Sequence, residues 1–156
     1  MSSAPLPQFV PIGTNAARLF GMDARTRACR LATNAGFDCS DTPDAGRGAL
    51  LASLDFAWDP AWLNEIAGRP GSVLTLGGRP VLAHVPAGAS AAAASDALLR
   101  GETLNGMTAI ASETAELSYR KLRKRDRPFV LPLDPRDPEP VERRRVDGVV
   151  SRVDAW

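Results

Sequence analysis

The stretch Leu50-Leu51-Ala52-Ser53-Leu54-Asp55-Phe56 decides the fold class. It is apolar almost throughout, with none of the alternation of a half-exposed strand. It therefore predicts a strand buried on both faces, as found where helices cover both sides of a sheet. The run stops at Asp55. Asp59-Pro60 then predicts a helix reaching about residue 67, with Asp59 as N-cap and Pro60 at the first helical position.

Upstream, Phe9, Val10 and Ile12 predict a short buried strand, and residues 13–21 the turn after it. Asp23 is a good N-cap for a helix over residues 24–35, and Gly36 is a natural residue just beyond its end. Residues 37–40 predict a short strand and residues 41–48 a loop. Downstream, two β-like runs at 72–76 and 80–85 flank Gly77-Gly78, a hairpin signal. The alanine-rich residues 87–100 fit either a helix or a lid-like segment. Residues 112–125 predict a helix whose last turn is basic, which suits the helix dipole. A strand over 129–133, a proline-rich loop over 133–140 and a C-terminal segment over 141–156 complete the chain.

This order predicts a single α/β domain over residues 1–156. It would be a three-layer α/β/α arrangement with a mostly parallel, Rossmann-like sheet. Ligands of such sheets bind at the carboxyl ends of strands. Gly13 and Asp55 both fall there.

Composition narrows the function. The length of 156 residues suits one core. A net charge of +1 gives no global field toward nucleic acid or a membrane, so no nucleic-acid partner is expected. Basic clusters lie at 120–127 and 143–145, and arginine far outnumbers lysine. That bias suits bidentate phosphate contacts, but coding bias is the plainer cause. Cys29 and Cys39 form no metal-type pair, and His84 is the one histidine, which argues against zinc. Two thiols read as free imply a reducing, cytoplasmic setting. Residues 1–8 have neither a basic nor an apolar leader segment, and no apolar run approaches the roughly 20 residues of a membrane span.

The segment PIGTNAARLFGMDARTRACRLATNAGF (residues 11–37) resembles the opening of MobA-like nucleotidyltransferases. There a strand leads into a glycine-rich loop and a helix ending in Ala-Gly. Residues 50–85 are similar to the centre of that domain, where an Asp ends a strand, a helix packs behind it and a hairpin follows. Residues 118–133 and 141–156 resemble the soluble domain that precedes CDP-alcohol phosphatidyltransferases in inositol-phosphate cytidylyltransferase-type proteins. The string Asp147-Gly148-Val149-Val150-Ser151-Arg152 carries the sharpest match. The chain departs from the family in its loop, which holds one glycine, Gly13, and no lysine. Several glycines are what let backbone N–H groups close on a phosphate.

The resemblance implies a shortened, degenerate cytidylyltransferase-like domain at the inner face of a membrane, beside a membrane-embedded phosphatidyltransferase domain. Its substrates would be CTP and a phosphorylated alcohol. Mg²⁺ would sit between the catalytic carboxylates Asp55 and Asp147. Gly13, Arg18, Lys124, Arg125 and Arg152 would contact phosphate oxygens. Each candidate has a plainer reading. Asp55 could simply end a strand, Asp147-Gly148 could be a turn, and the basic residues could be a solvated face. Residues 121–127 could also lie on anionic headgroups, gaining about 1 kcal/mol per basic residue. His84 reads as a half-buried packing residue. Trp58 and Trp62 read as core or as an interface, and the second option would make the chain a homodimer. A different class of function, a non-catalytic binding or regulatory domain, follows if the fold persists and the site does not.

Overall fold

In the computed structural model, the described residues are 7–15, 18–19, 22–42, 47–87, 91–102, 104, 106–112 and 130–133. Strand β1 (Gln8–Ile12) is followed by two short strands, β2 (Arg18–Leu19) and β3 (Met22–Asp23), which pair antiparallel with each other. Helix α1 (Ala24–Asn34) then leads to β4 (Ala49–Ser53) and β5 (Phe56–Trp58). Helix α2 (Ala61–Ala67), the hairpin β6 (Ser72–Leu76) and β7 (Arg79–Val85), helix α3 (Ala91–Arg100), β8 (Thr108–Ala111) and β9 (Val130–Pro132) complete the order.

The main sheet has five strands in the order β1-β4-β7-β6-β8. β1 on β4 and β6 on β8 are parallel, whereas β7 is antiparallel to both of its neighbours. The sheet is thus mixed. Four strands share one direction, but half of the pairings are antiparallel, because the reversed strand sits in the middle. The Gly77-Gly78 hairpin causes this. Both glycines have positive φ, 57° and 80°, which a two-residue turn of this hand requires. The turn folds β7 back into the gap between β6 and β4.

Strand residues alternate between two apolar layers. Phe9, Leu50, Ala52, Leu74 and Leu82 face one layer with Leu31 of α1 and Trp62, Leu63 and Ile66 of α2. Val10, Leu51, Val73, Ala83 and Val85 face the other with Ala94 and Leu98 of α3. Helices therefore cover both faces, as the unbroken apolar run 50–54 implies. Each fully buried Leu contributes about 1.5–3 kcal/mol relative to leaving it exposed. Trp58 and Trp62 are both in this core, which removes them as a dimer face.

Local signals at the helix starts hold with small shifts. The Asp23 side chain accepts from the Thr26 N–H at 2.7 Å and caps α1. Asp59 accepts from the Ala61 N–H at 3.0 Å, and α2 starts one residue later than expected. Residues 87–100 resolve as a helix from Ala91 on. The strand expected over residues 37–40 is reduced to one parallel bridge, Phe9 to Cys39. Strand β8, which no strong β-former run announces, closes one edge. The expected helix over 112–125, apart from Ser112, and the segment over 141–156 lie outside the described residues.

The cysteines require a correction. Cys29 and Cys39 are not free but joined as a disulfide, with Cα atoms 5.6 Å apart. Ten residues separate them, and closing a loop of that size stabilises a fold by roughly 3 kcal/mol in the chain-entropy picture. The inference of a reducing compartment from unpaired thiols loses its basis. No helix among the described residues is long and apolar enough to cross a membrane.

Two-sided burial makes a contrast measurable. Leu51→Ala, at a fully buried site, is expected to cost about 2–5 kcal/mol. Leu99→Ala, at a side chain 57% exposed, should stay within about 0.5 kcal/mol. Urea unfolding midpoints at unchanged slope check both.

Candidate functional site

Three chain segments converge at the carboxyl ends of β1 and β4. The Leu54 N–H donates to the Ile12 carbonyl at 3.0 Å, so the turn after β4 lies directly beside the end of β1. Gly13 then turns the chain with φ 95°, a conformation side-chain-bearing residues rarely adopt. A Cβ on Gly13 would also come 3.4 Å from Leu99 Cδ2 of α3.

Asn15 fixes this corner. Its side-chain amide donates to the carbonyls of Leu54 and Leu133, each at 2.9 Å. Those acceptors belong to the turn after β4 and to the residue after β9. β9 pairs antiparallel with β5, and the Leu133 N–H donates to the Asp55 carbonyl at 2.8 Å. One amide group thus holds the loop after β1, the Asp55 turn and the β9 segment in register. The loop resembling a phosphate cradle uses a side chain for internal structure where a glycine-rich loop would offer backbone N–H groups.

Asp55 sits in that turn, half exposed, with its N–H donating to Ser53 Oγ at 3.2 Å. The expected strand end is confirmed to within two residues, since β4 stops at Ser53. Its carboxylate faces Arg79, whose guanidinium nitrogen lies 3.9 Å from Asp55 Oδ2. This exceeds the roughly 2.7–2.9 Å of a charge-assisted hydrogen bond. Arg79 also lies over the Phe56 ring, 4.9 Å from its centre. A cation over an aromatic face, at the first residue of the reversed strand, is thereby placed at the same edge as Asp55.

The other expected site residues are distributed differently. Arg18 is placed by its backbone in β2, opposite Asp23. Asp147, Lys124, Arg125 and Arg152 lie outside the described residues. His84, expected to be half-buried, is buried, with Nδ1 3.0 Å from the Ile66 carbonyl, so it joins β7 to α2 as a packing residue.

No group of three or more His, Cys, Asp or Glu side chains that could hold a metal occurs among the described residues. Among the described residues of this corner, Asp55 supplies a half-exposed carboxylate. The chain matches no family model and no curated protein.

Asn15 and Arg79 were not singled out by sequence reasoning. The signal for Arg79 is its place directly after a Gly-Gly turn, which fixes it at the start of a strand. For Asn15 the signal is a side chain with two amide protons in a loop short of glycine.

Removing the Asn15 clasp orphans two carbonyls. Asn15→Ala should cost about 1–3 kcal/mol. Asp55→Asn breaks only a long, exposed ion pair and should cost under about 1 kcal/mol. Equilibrium urea unfolding of both variants separates the two groups.

Proposed function

We propose that this chain is a shortened, degenerate nucleotidyltransferase-like domain linked to CDP-alcohol phospholipid synthesis. Its ligand edge is the corner formed by Gly13, Asn15, Asp55 and Arg79. The observation that carries this reading is the direct hydrogen bond between the Leu54 turn and the end of β1, which sets the Gly13 turn and Asp55 side by side. Strand, loop, helix, strand, Asp, helix and hairpin follow each other in the order of the MobA-like resemblance. A sheet with most strands in one direction binds ligands at this end.

In this reading the ligand is CTP, joined to a phosphorylated alcohol with release of pyrophosphate. Asp55, with Asp147, would hold Mg²⁺, which neutralises phosphate charge when bound. Arg79 binds a phosphate oxygen and is kept over Phe56 for that purpose. Arg18, Lys124, Arg125 and Arg152 supply further positive charge. The domain works at the inner face of the membrane, beside a membrane-embedded phosphatidyltransferase.

The Asp55–Arg79 pair and the Asn15 clasp favour a second reading. A carboxylate already facing a guanidinium, and a loop already spent on internal hydrogen bonds, suit a domain that binds an anion without turnover. Such a domain would dock on or regulate the membrane enzyme.

Thermal unfolding with CTP and Mg²⁺ tests both. Saturation at 100 times the dissociation constant stabilises by about 2.7 kcal/mol. For a chain of this size that is a rise in Tm of roughly 5–10 °C. Asp55→Asn should remove the Mg²⁺-dependent part. Stabilisation with pyrophosphate release supports the enzyme, and stabilisation without it the binding domain. No shift at millimolar CTP contradicts the enzyme.

A further inference from the structure

Among the described residues, little covers the outer edge of β1. Phe9 is, among the described residues, the β1 residue that bridges outward: its N–H donates to the Asp38 carbonyl at 2.8 Å, and its carbonyl accepts from the Ser40 N–H at 2.9 Å. The next outward position is Pro11, which has no N–H, so a ladder cannot extend past Phe9 on that side. Residues 38–42 therefore lie on the edge by a single bridge.

Among the described residues, Cys39 rests against the core, and three polar or covalent contacts also hold that segment. Asp41 pairs with Arg25 and Asp38 with Arg47, and all these side chains are at least partly exposed. Exposed pairs of this kind contribute little. The third contact is the disulfide from Cys39 to Cys29, on helix α1. Phe37, just before the segment, is buried in the core, and its N–H donates to the Ala32 carbonyl at 2.9 Å. Among the described residues, the chain is thus anchored at Phe37 by packing, and beyond it by the S–S bond together with the Phe9 bridge and the contact of Cys39 with the core.

We propose that Cys29–Cys39 is a reducible latch that holds residues 38–42 against the edge of β1. Both cysteines are partly exposed, so a reductant reaches them. A dithiol donates two electrons and two protons through a mixed disulfide. The Cys29–Cys39 bond breaks, both sulfurs become thiols, and the dithiol leaves as its own disulfide. The segment then swings from Phe37, and the Phe9 bridge opens. The sheet survives, because Cys39 only borders the first apolar layer, and the fully buried Leu50, Leu51 and Leu82 lie on the central strands. The edge strand affected is the one that runs into Gly13 and Asn15.

Amide hydrogen exchange on the oxidised and dithiothreitol-reduced chain tests this. Phe9 and Ser40 amides should exchange at least tenfold faster on reduction, while Leu51 and Ala83, paired across β4 and β7, stay unchanged. Reoxidation should restore the slow rates. The double variant C29S/C39S should exchange like the reduced chain and ignore reductant. Unchanged rates at Phe9 and Ser40 overturn the latch. So does loss of protection at all four amides together, which would make the bond a staple of the whole fold. A folded chain that dithiothreitol cannot reduce overturns it as well.

Discussion

Leu50 and Leu51 are neighbours in the chain, yet they face opposite apolar layers. The same holds for Leu82 and Ala83 on the adjacent strand. This two-sided burial of β4 and β7 is the constraint on which the remaining structure depends. A strand with no solvated face must be covered twice, so α1 and α2 are required on one side and α3 on the other. It also fixes register, since a slip by one residue would exchange the two layers. With the centre fixed, the turns at the strand ends have little freedom.

That rigidity is transmitted to the corner proposed as the ligand site by a few polar contacts. The Leu54 N–H to Ile12 carbonyl bond aligns two strand ends, and the Asn15 amide locks a third segment onto them. Asp55 and Arg79 are carried there by backbone position rather than by a strong mutual bond. Positioning by rigid elements is what ligand sites need. The departure from a glycine-rich loop has a structural meaning here. Asn15 spends its side-chain amide on internal order.

Much of the fold was legible because its signals are local or periodic. The run from Leu50 announces two-sided burial, Asp23 announces a helix start, and Gly77-Gly78 announces the turn that reverses β7. What was not legible depends on distant partners. β8 has the short, weakly β-forming sequence TAIA and owes its strand to pairing with β6. β5 leaves the main sheet because β9, far along the chain, pairs with it. The Cys29–Cys39 bond needs α1 folded back on β1, which no spacing rule reveals. Of the site, Gly13 and Asp55 followed from strand ends, whereas Arg79 and Asn15 depend on which neighbour each loop meets. The resemblance reached further, to Asp147 and the basic residues Lys124, Arg125 and Arg152, all outside the described residues.

The proposed function places a nucleotide phosphate at the carboxyl ends of β1 and β4. Titration of the isotope-labelled chain with CTP and Mg²⁺, followed by amide chemical shifts, addresses it most directly. Saturable shifts clustered at Gly13, Asn15, Asp55 and Arg79 are the expected result. An unperturbed spectrum at millimolar nucleotide, or shifts clustered along β8 at the far edge of the sheet, would contradict it.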